Sequence, residues 1–268
     1  MKYEIKATQR TFLPLYGLIL AFAIVIRVFR TLNMQNAEGM AILPFAITIA
    51  IYCVLIAAVF VMTLVVTIQR FQKNLLGDEG YLSFTLPVSV HSHISSKMIV
   101  SLMWTILSLI VSVGSIMILV TDYSVTDQMR NAWKQMTQMF SGKYGFWGGL
   151  IVAEIIVLML VSTLTCILQL YASVTVGNFS SKHKLLAGFG AFIGFCVIEG
   201  IVTSILVNVG VNLASNGALD LFWNRIDDLG KLQSVAGVFG ASIVYEALFG
   251  LAFYFLTNWL LSDKLNLE

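Results

Sequence analysis

The sequence predicts an all-α polytopic membrane protein, and three observations carry that prediction. Of 268 residues, 58% are hydrophobic and only 11% are charged, where a soluble domain averages about 45–50% and about 25%. Mean hydropathy is +0.88. Six apolar stretches of the length a bilayer-spanning helix needs account for over half the chain. So few charges cannot coat a water-exposed surface of this size, and no remaining segment is large enough for a soluble catalytic domain. Neither a Pro/Gly/Ser-rich linker nor an internal repeat is visible. The expectation is one transmembrane domain over residues 1–268.

The predicted spans run approximately over 11–28, 41–68, 98–120, 147–177, 186–213 and 236–261. The first is the shortest, bounded by Arg10 and Arg27. Lys2, Lys6 and Arg10 ahead of an apolar run holding Ala21-Phe22-Ala23 imitate a signal peptide. That run continues through Ile24, Val25 and Ile26, which predicts an uncleaved helix. The second, fourth and fifth stretches exceed the minimum length, so they tilt or continue beyond the lipid.

Between the second and third spans lies the segment 72–97. Asp78 and Glu79 suit the first turn of a short helix, whose positive end favours acids. Tyr81, Leu82, Phe84 and Leu86 give it an apolar side. Pro87 stops it by removing a donor and restricting Leu86, and Ser89 caps a following helix that leads through Lys97 into the third span. Two readings fit these residues: a connector resting on headgroups, or a docking surface for a soluble partner.

After the third span, Met129, Trp133, Met136, Met139 and Phe140 recur at helical spacing. They predict an amphipathic helix on the membrane surface, a structural lid. Asp220-Leu221-Phe222-Trp223 is a shorter version before the last span. Each of the last three spans carries one acid: Glu154, Glu199 and Glu246. An intramembrane carboxylate is expensive and faces a partner or a wet cavity. At about 1.5 Å rise per residue, Glu199 is about 20 Å from either end of its stretch, with Glu154 and Glu246 shallower. They form a shared polar site on a translocation path, or each is protonated or hydrogen-bonded to neighbours such as Gln169, Ser204, Asn208 or Tyr245. For Glu199, the deepest, the path is preferred.

The catalytic inventory is nearly empty. The chain has no Gly-x-x-x-x-Gly-Lys-Ser/Thr, no Gly-x-Ser-x-Gly and no His-Glu-x-x-His. It is therefore not expected to be an enzyme, nor to carry a cofactor or metal. His91, His93 and His183 fall in expected loops, where His91 and His93 lack a further ligand. Cys53, Cys166 and Cys196 read as small packing residues inside apolar stretches. A net charge of +2 without a basic run is too small to suggest a nucleic-acid partner, and none is expected. With the N-terminus inside, nine Lys and Arg fall in the cytoplasm against seven outside, a weak bias that Arg27 and Arg30 oppose.

Glu79, Gly80, Leu86, Pro87, Val88 and Ser89, followed by Lys97 and an apolar span, resemble the coupling helix of the type-2 exporter permeases of ABC transporters. More loosely, the six-span layout, the basic N-terminal helix and the short loop 180–184 are similar too. Tyr81 stands where many members of that family carry Thr. The resemblance implies that Asp78, Glu79, Gly80, Tyr81, Leu86, Pro87 and Ser89 dock on a separate ABC ATP-binding subunit, which holds ATP and Mg. It also implies a second permease subunit, identical or different, membrane lipids as partners, and a bacterial cytoplasmic membrane with both termini cytoplasmic. The cargo would be a lipid, an amphipathic peptide or a hydrophobic drug. The rival class is a secondary transporter with Glu154, Glu199 or Glu246 as proton relay. Such folds break helices in matched pairs near the midplane, and Pro14, Pro44 and Pro87 offer no such pair.

The expected topology puts residues 78–97 and 180–184 in the cytoplasm and 122–143 outside. Single cysteines at Ser83 and Thr126, in a background lacking the native three, test it with an impermeant thiol reagent. Thr126 should label in intact cells and Ser83 only after permeabilisation; the reverse pattern inverts the topology.

Overall fold

The structure, a computed structural model, describes residues 2–33, 42–73, 90–120, 123–141, 145–180, 183–215 and 228–263. Among these, seven helices follow one another: α1 (Lys2–Asn33), α2 (Ile42–Phe71), α3 (Val90–Val120), α4 (Tyr123–Ser141), α5 (Gly145–Asn178), α6 (Lys184–Ser215) and α7 (Asp228–Asp263). All except α4 are long and apolar enough to cross a membrane, and each coincides with one of the expected spans over most of its length. The chain is an all-α, multi-pass membrane protein. The stretch expected to form a surface helix after the third span is helical, as α4.

Asp78, Glu79, Gly80, Tyr81, Leu86, Pro87 and Ser89 lie outside the described residues, as do residues 220–223. The helix expected to follow Ser89 is present: α3 begins at Val90 and runs unbroken through Lys97. His91, expected in a loop, therefore sits in the first turn of α3. The apolar run that defined the third span begins only at Met98, but the helix does not need to be apolar before it enters lipid.

Contacts divide the chain into two compact units, Met1–Arg70 with Ser95–Ala132, and Phe71–Ile94 with Trp133–Glu268. In the first unit, α1 buries Thr8, Phe12, Tyr16, Ile19, Ala23 and Ile26. Their spacing of three and four places one stripe of the helix inward. Phe12 stacks on Trp104 of α3, centroids 4.9 Å apart. The inward stripe of α3 is rich in hydroxyls, with Ser101, Ser108, Ser112 and Ser115 all buried. Ser108 Oγ meets Tyr16 Oη of α1 at 2.7 Å and Thr63 Oγ1 of α2 at 2.9 Å, and Tyr52 Oη meets Ser115 Oγ at 2.8 Å. Small residues let membrane helices approach, and interhelical hydrogen bonds then hold them. Ser108 thus joins α1, α2 and α3.

In the second unit α5 packs against both α6 and α7. The buried residues of α5 all fall between Thr165 and Gly177, in its C-terminal half. Phe253, Thr257, Leu260 and Leu261 are buried in the C-terminal part of α7, and Gly188 near the start of α6. The unit is thus tight at the end where α5 finishes and α6 begins. Its tightest crossing is glycine on glycine: a Cβ at Gly177 would stand 2.5 Å from the Cα and N of Gly188.

Gly177→Ala should destabilise the protein by at least the roughly 1–3 kcal/mol of an overpacked core. Ser108→Ala should cost less, because membrane hydrogen bonds average about 0.6 kcal/mol each. Thermal unfolding in detergent ranks the two; a Gly177→Ala variant as stable as wild type would disprove the close crossing.

Candidate functional site

A layer of polar groups crosses α5, α6 and α7 midway along the second unit. Thr165 Oγ1 of α5 donates to the Glu246 carbonyl of α7 at 3.0 Å. Gly250 makes room for that contact, since a Cβ there would lie 2.8 Å from the same hydroxyl. Tyr245 Oη of α7 donates to the Glu199 carbonyl of α6 at 3.2 Å and lies 2.7 Å from Thr203 Oγ1. Gln169 Nε2 of α5 donates to Cys196 Sγ of α6 at 3.3 Å. Cys166 lies within electrostatic range of Cys196, Glu199 and Glu246, and the two carboxylates lie within range of each other.

Glu199 and Glu246, expected at different depths, therefore belong to one layer. The correction comes from α7, which starts at Asp228, ahead of the apolar stretch, and so puts Glu246 near its middle. Three of the four neighbours expected to satisfy the acids are engaged elsewhere. Gln169 bonds Cys196, Asn208 Nδ2 donates to the Ser204 carbonyl of its own helix, and Tyr245 reaches the backbone of Glu199. Glu154 stands apart, nearer the start of α5, as expected. It faces Gly240 of α7, where a Cβ would be 3.7 Å from its Oε1, and its Oε2 is buried without a hydrogen-bond partner. Among the described residues no three of His, Cys, Asp and Glu converge to hold a metal.

Ionised carboxylates sharing a layer of low dielectric repel each other. Such a layer suits a shared proton or a positively charged guest. Cys166 and Cys196, read as packing residues, contribute to it through positions on facing helices, which no local sequence signal marks.

A second constellation surrounds the chain on either side of residues 74–89. Phe71, the last residue of α2, is fully buried and stacks on fully buried Tyr171 of α5, centroids 4.1 Å apart and planes within 10°. His91 Nδ1 and Tyr254 Oη of α7 share a 2.8 Å hydrogen bond, with the rings 5.8 Å apart. Ile94, one turn further on, is buried. Both flanks of that segment are thus held by the helices that carry the polar layer. Their partners are some 100 and 160 residues distant in sequence, beyond any periodicity argument.

Comparison with protein-family models, with curated proteins and with solved structures gives no match to this chain. Fold and geometry define a class, a multi-pass α-helical membrane protein with a polar layer in its last three spans.

A buried polar atom without a partner costs about 1–3 kcal/mol. Glu154→Met, similar in length and apolar, should therefore raise thermal stability by about that amount. A fall in melting temperature would mean that Glu154 is satisfied by water or by a further subunit.

Proposed function

We propose that this chain is the membrane permease subunit of an ATP-driven ABC exporter. It would move a lipid, an amphipathic peptide or a hydrophobic drug across a bacterial cytoplasmic membrane. The observation that carries the reading is Glu79-Gly80 with Leu86-Pro87-Val88-Ser89 between the second and third spans, the position of the coupling helix in the resembled family. The anchoring of both flanks supports it: a push delivered to this segment would reach α5 through Phe71 and Tyr171, and α7 through His91 and Tyr254. Two ATPase subunits closing on ATP and Mg would supply that push to a dimer of permeases. This chain would hydrolyse nothing itself.

The polar layer supports a transport role for the same helices. Glu199 and Glu246 would meet the polar or cationic part of an amphipathic cargo, while its apolar part meets lipid-like surface. One observation favours a second reading: two carboxylates in a single mid-membrane layer are what a proton-coupled secondary transporter would use.

Co-purification with an ATP-binding cassette subunit encoded beside this chain tests the proposal. Glu79→Ala and Pro87→Ala should weaken the complex by roughly tenfold, a loss of about 1.4 kcal/mol, and lower cargo-stimulated ATP hydrolysis in parallel. Glu199→Gln should leave assembly intact and alter cargo selectivity or the pH profile of export. Wild-type assembly and transport in both coupling variants would remove the docking role. Transport driven by a proton gradient without any ATPase would select the second reading.

A further inference from the structure

Helix α4 takes no part in either constellation. The described side chains from Asp127 to Gln135 are all exposed. Met129 and Trp133 lie one turn apart on one face, 46% and 68% exposed, so neither is spent on the protein's own core. Arg130 and Lys134, also one turn apart, occupy the adjoining face. Asp127 is the single acid of this stretch, three residues before Arg130, so cations outnumber anions by two to one.

The connections decide where such a helix can lie. α3 ends at Val120 and α4 starts at Tyr123; α4 ends at Ser141 and α5 starts at Gly145. Consecutive Cα atoms are about 3.8 Å apart, so each end of α4 stays within about 15 Å of the end of a membrane-spanning helix. At its length of 19 residues α4 measures about 28 Å. It has no slack to stand away from the bilayer and return. A helix held along that surface with an uncovered apolar face has lipid beneath it.

We propose that α4 is an interfacial anchor that recognises anionic lipid. Met129 and Trp133 seat at the boundary between acyl chains and headgroups, the region Trp favours. Arg130 and Lys134 extend their stems over the apolar layer and place their charges at lipid phosphates. The occupant is the leaflet at the end of the bilayer where α3 stops and α5 begins. The inference is independent of what the protein transports.

The test follows Trp133 in the full chain reconstituted into vesicles of phosphatidylcholine, with and without an equal part of phosphatidylglycerol. Replacing Trp104, Trp147, Trp223 and Trp259 by Phe leaves Trp133 as the only indole. Should that variant not fold, Trp133→Cys carrying an environment-sensitive fluorophore, in a chain lacking Cys53, Cys166 and Cys196, reports the same position. The expected result is strong quenching by lipids brominated near the headgroup and weak quenching by lipids brominated at the chain end. Phosphatidylglycerol should deepen the quenching by about twofold or more, and Arg130→Gln with Lys134→Gln should abolish that increase while leaving the quenching in phosphatidylcholine. Quenching by aqueous iodide with no effect of brominated lipid would overturn the proposal. So would protection from both, which would put a protein partner on this face, and so would indifference to phosphatidylglycerol in the unmodified α4.

Discussion

Within hydrocarbon a peptide N–H or C=O has no water to fall back on, and leaving one unpaired costs several kcal/mol. That constraint makes six long helices of this chain, because a helix satisfies its backbone within its own segment. The same constraint disposes of most side-chain hydroxyls. Thr175 and Thr257 each donate to the carbonyl four residues earlier, on their own helix. A hydroxyl stowed in this way adds nothing between helices. Those that reach across, among them Tyr16, Tyr52, Thr63 and Ser108 in the first unit and Thr165, Tyr245 and Tyr254 in the second, mark where helices meet.

Apolar packing cannot decide those meetings by itself, since lipid tails accept a leucine as readily as another helix does. Close backbone approach and interhelical hydrogen bonds take its place. In the first unit Ser108 serves both neighbours of α3. In the second, Gly177 against Gly188 and Gly250 against Thr165 set how near α6 and α7 come to α5. The result is an uneven bundle: the buried residues of α5 all fall between Thr165 and Gly177, and the positions before them are half-buried or exposed. The mid-membrane acids sit where the tight part gives way to the loose part, and Glu154 lies within the loose part.

This unevenness gives the two constellations a physical relation. Phe71 and His91 are held at the tight end of the second unit, by Tyr171 of α5 and Tyr254 of α7. A displacement applied there acts on a closely packed lever. At the other end, where the side chains of α5 are half-buried or exposed, less packing would need to break for α5, α6 and α7 to change their spacing. The polar layer of Glu199, Glu246, Cys166 and Tyr245 spans these same three helices, so its geometry would respond to such a change.

The sequence by itself determined the number of the spans, the helix α4 with Met129 and Trp133, and the acid in each of the last three helices. Those features depend on length, composition and local spacing, which the bilayer reads directly. Tertiary structure alone decided that Glu246 lies level with Glu199, that His91 belongs to a helix and meets Tyr254, that Phe71 stacks on Tyr171, and that Cys166 and Cys196 border the acids. In a soluble protein a polar face would have shown which side of each helix turns inward. Helices such as α6, apolar on every side because lipid surrounds them, carry no such mark. Which faces meet is then settled by single glycines and hydroxyls far apart in the chain, and only their arrangement in space identifies them.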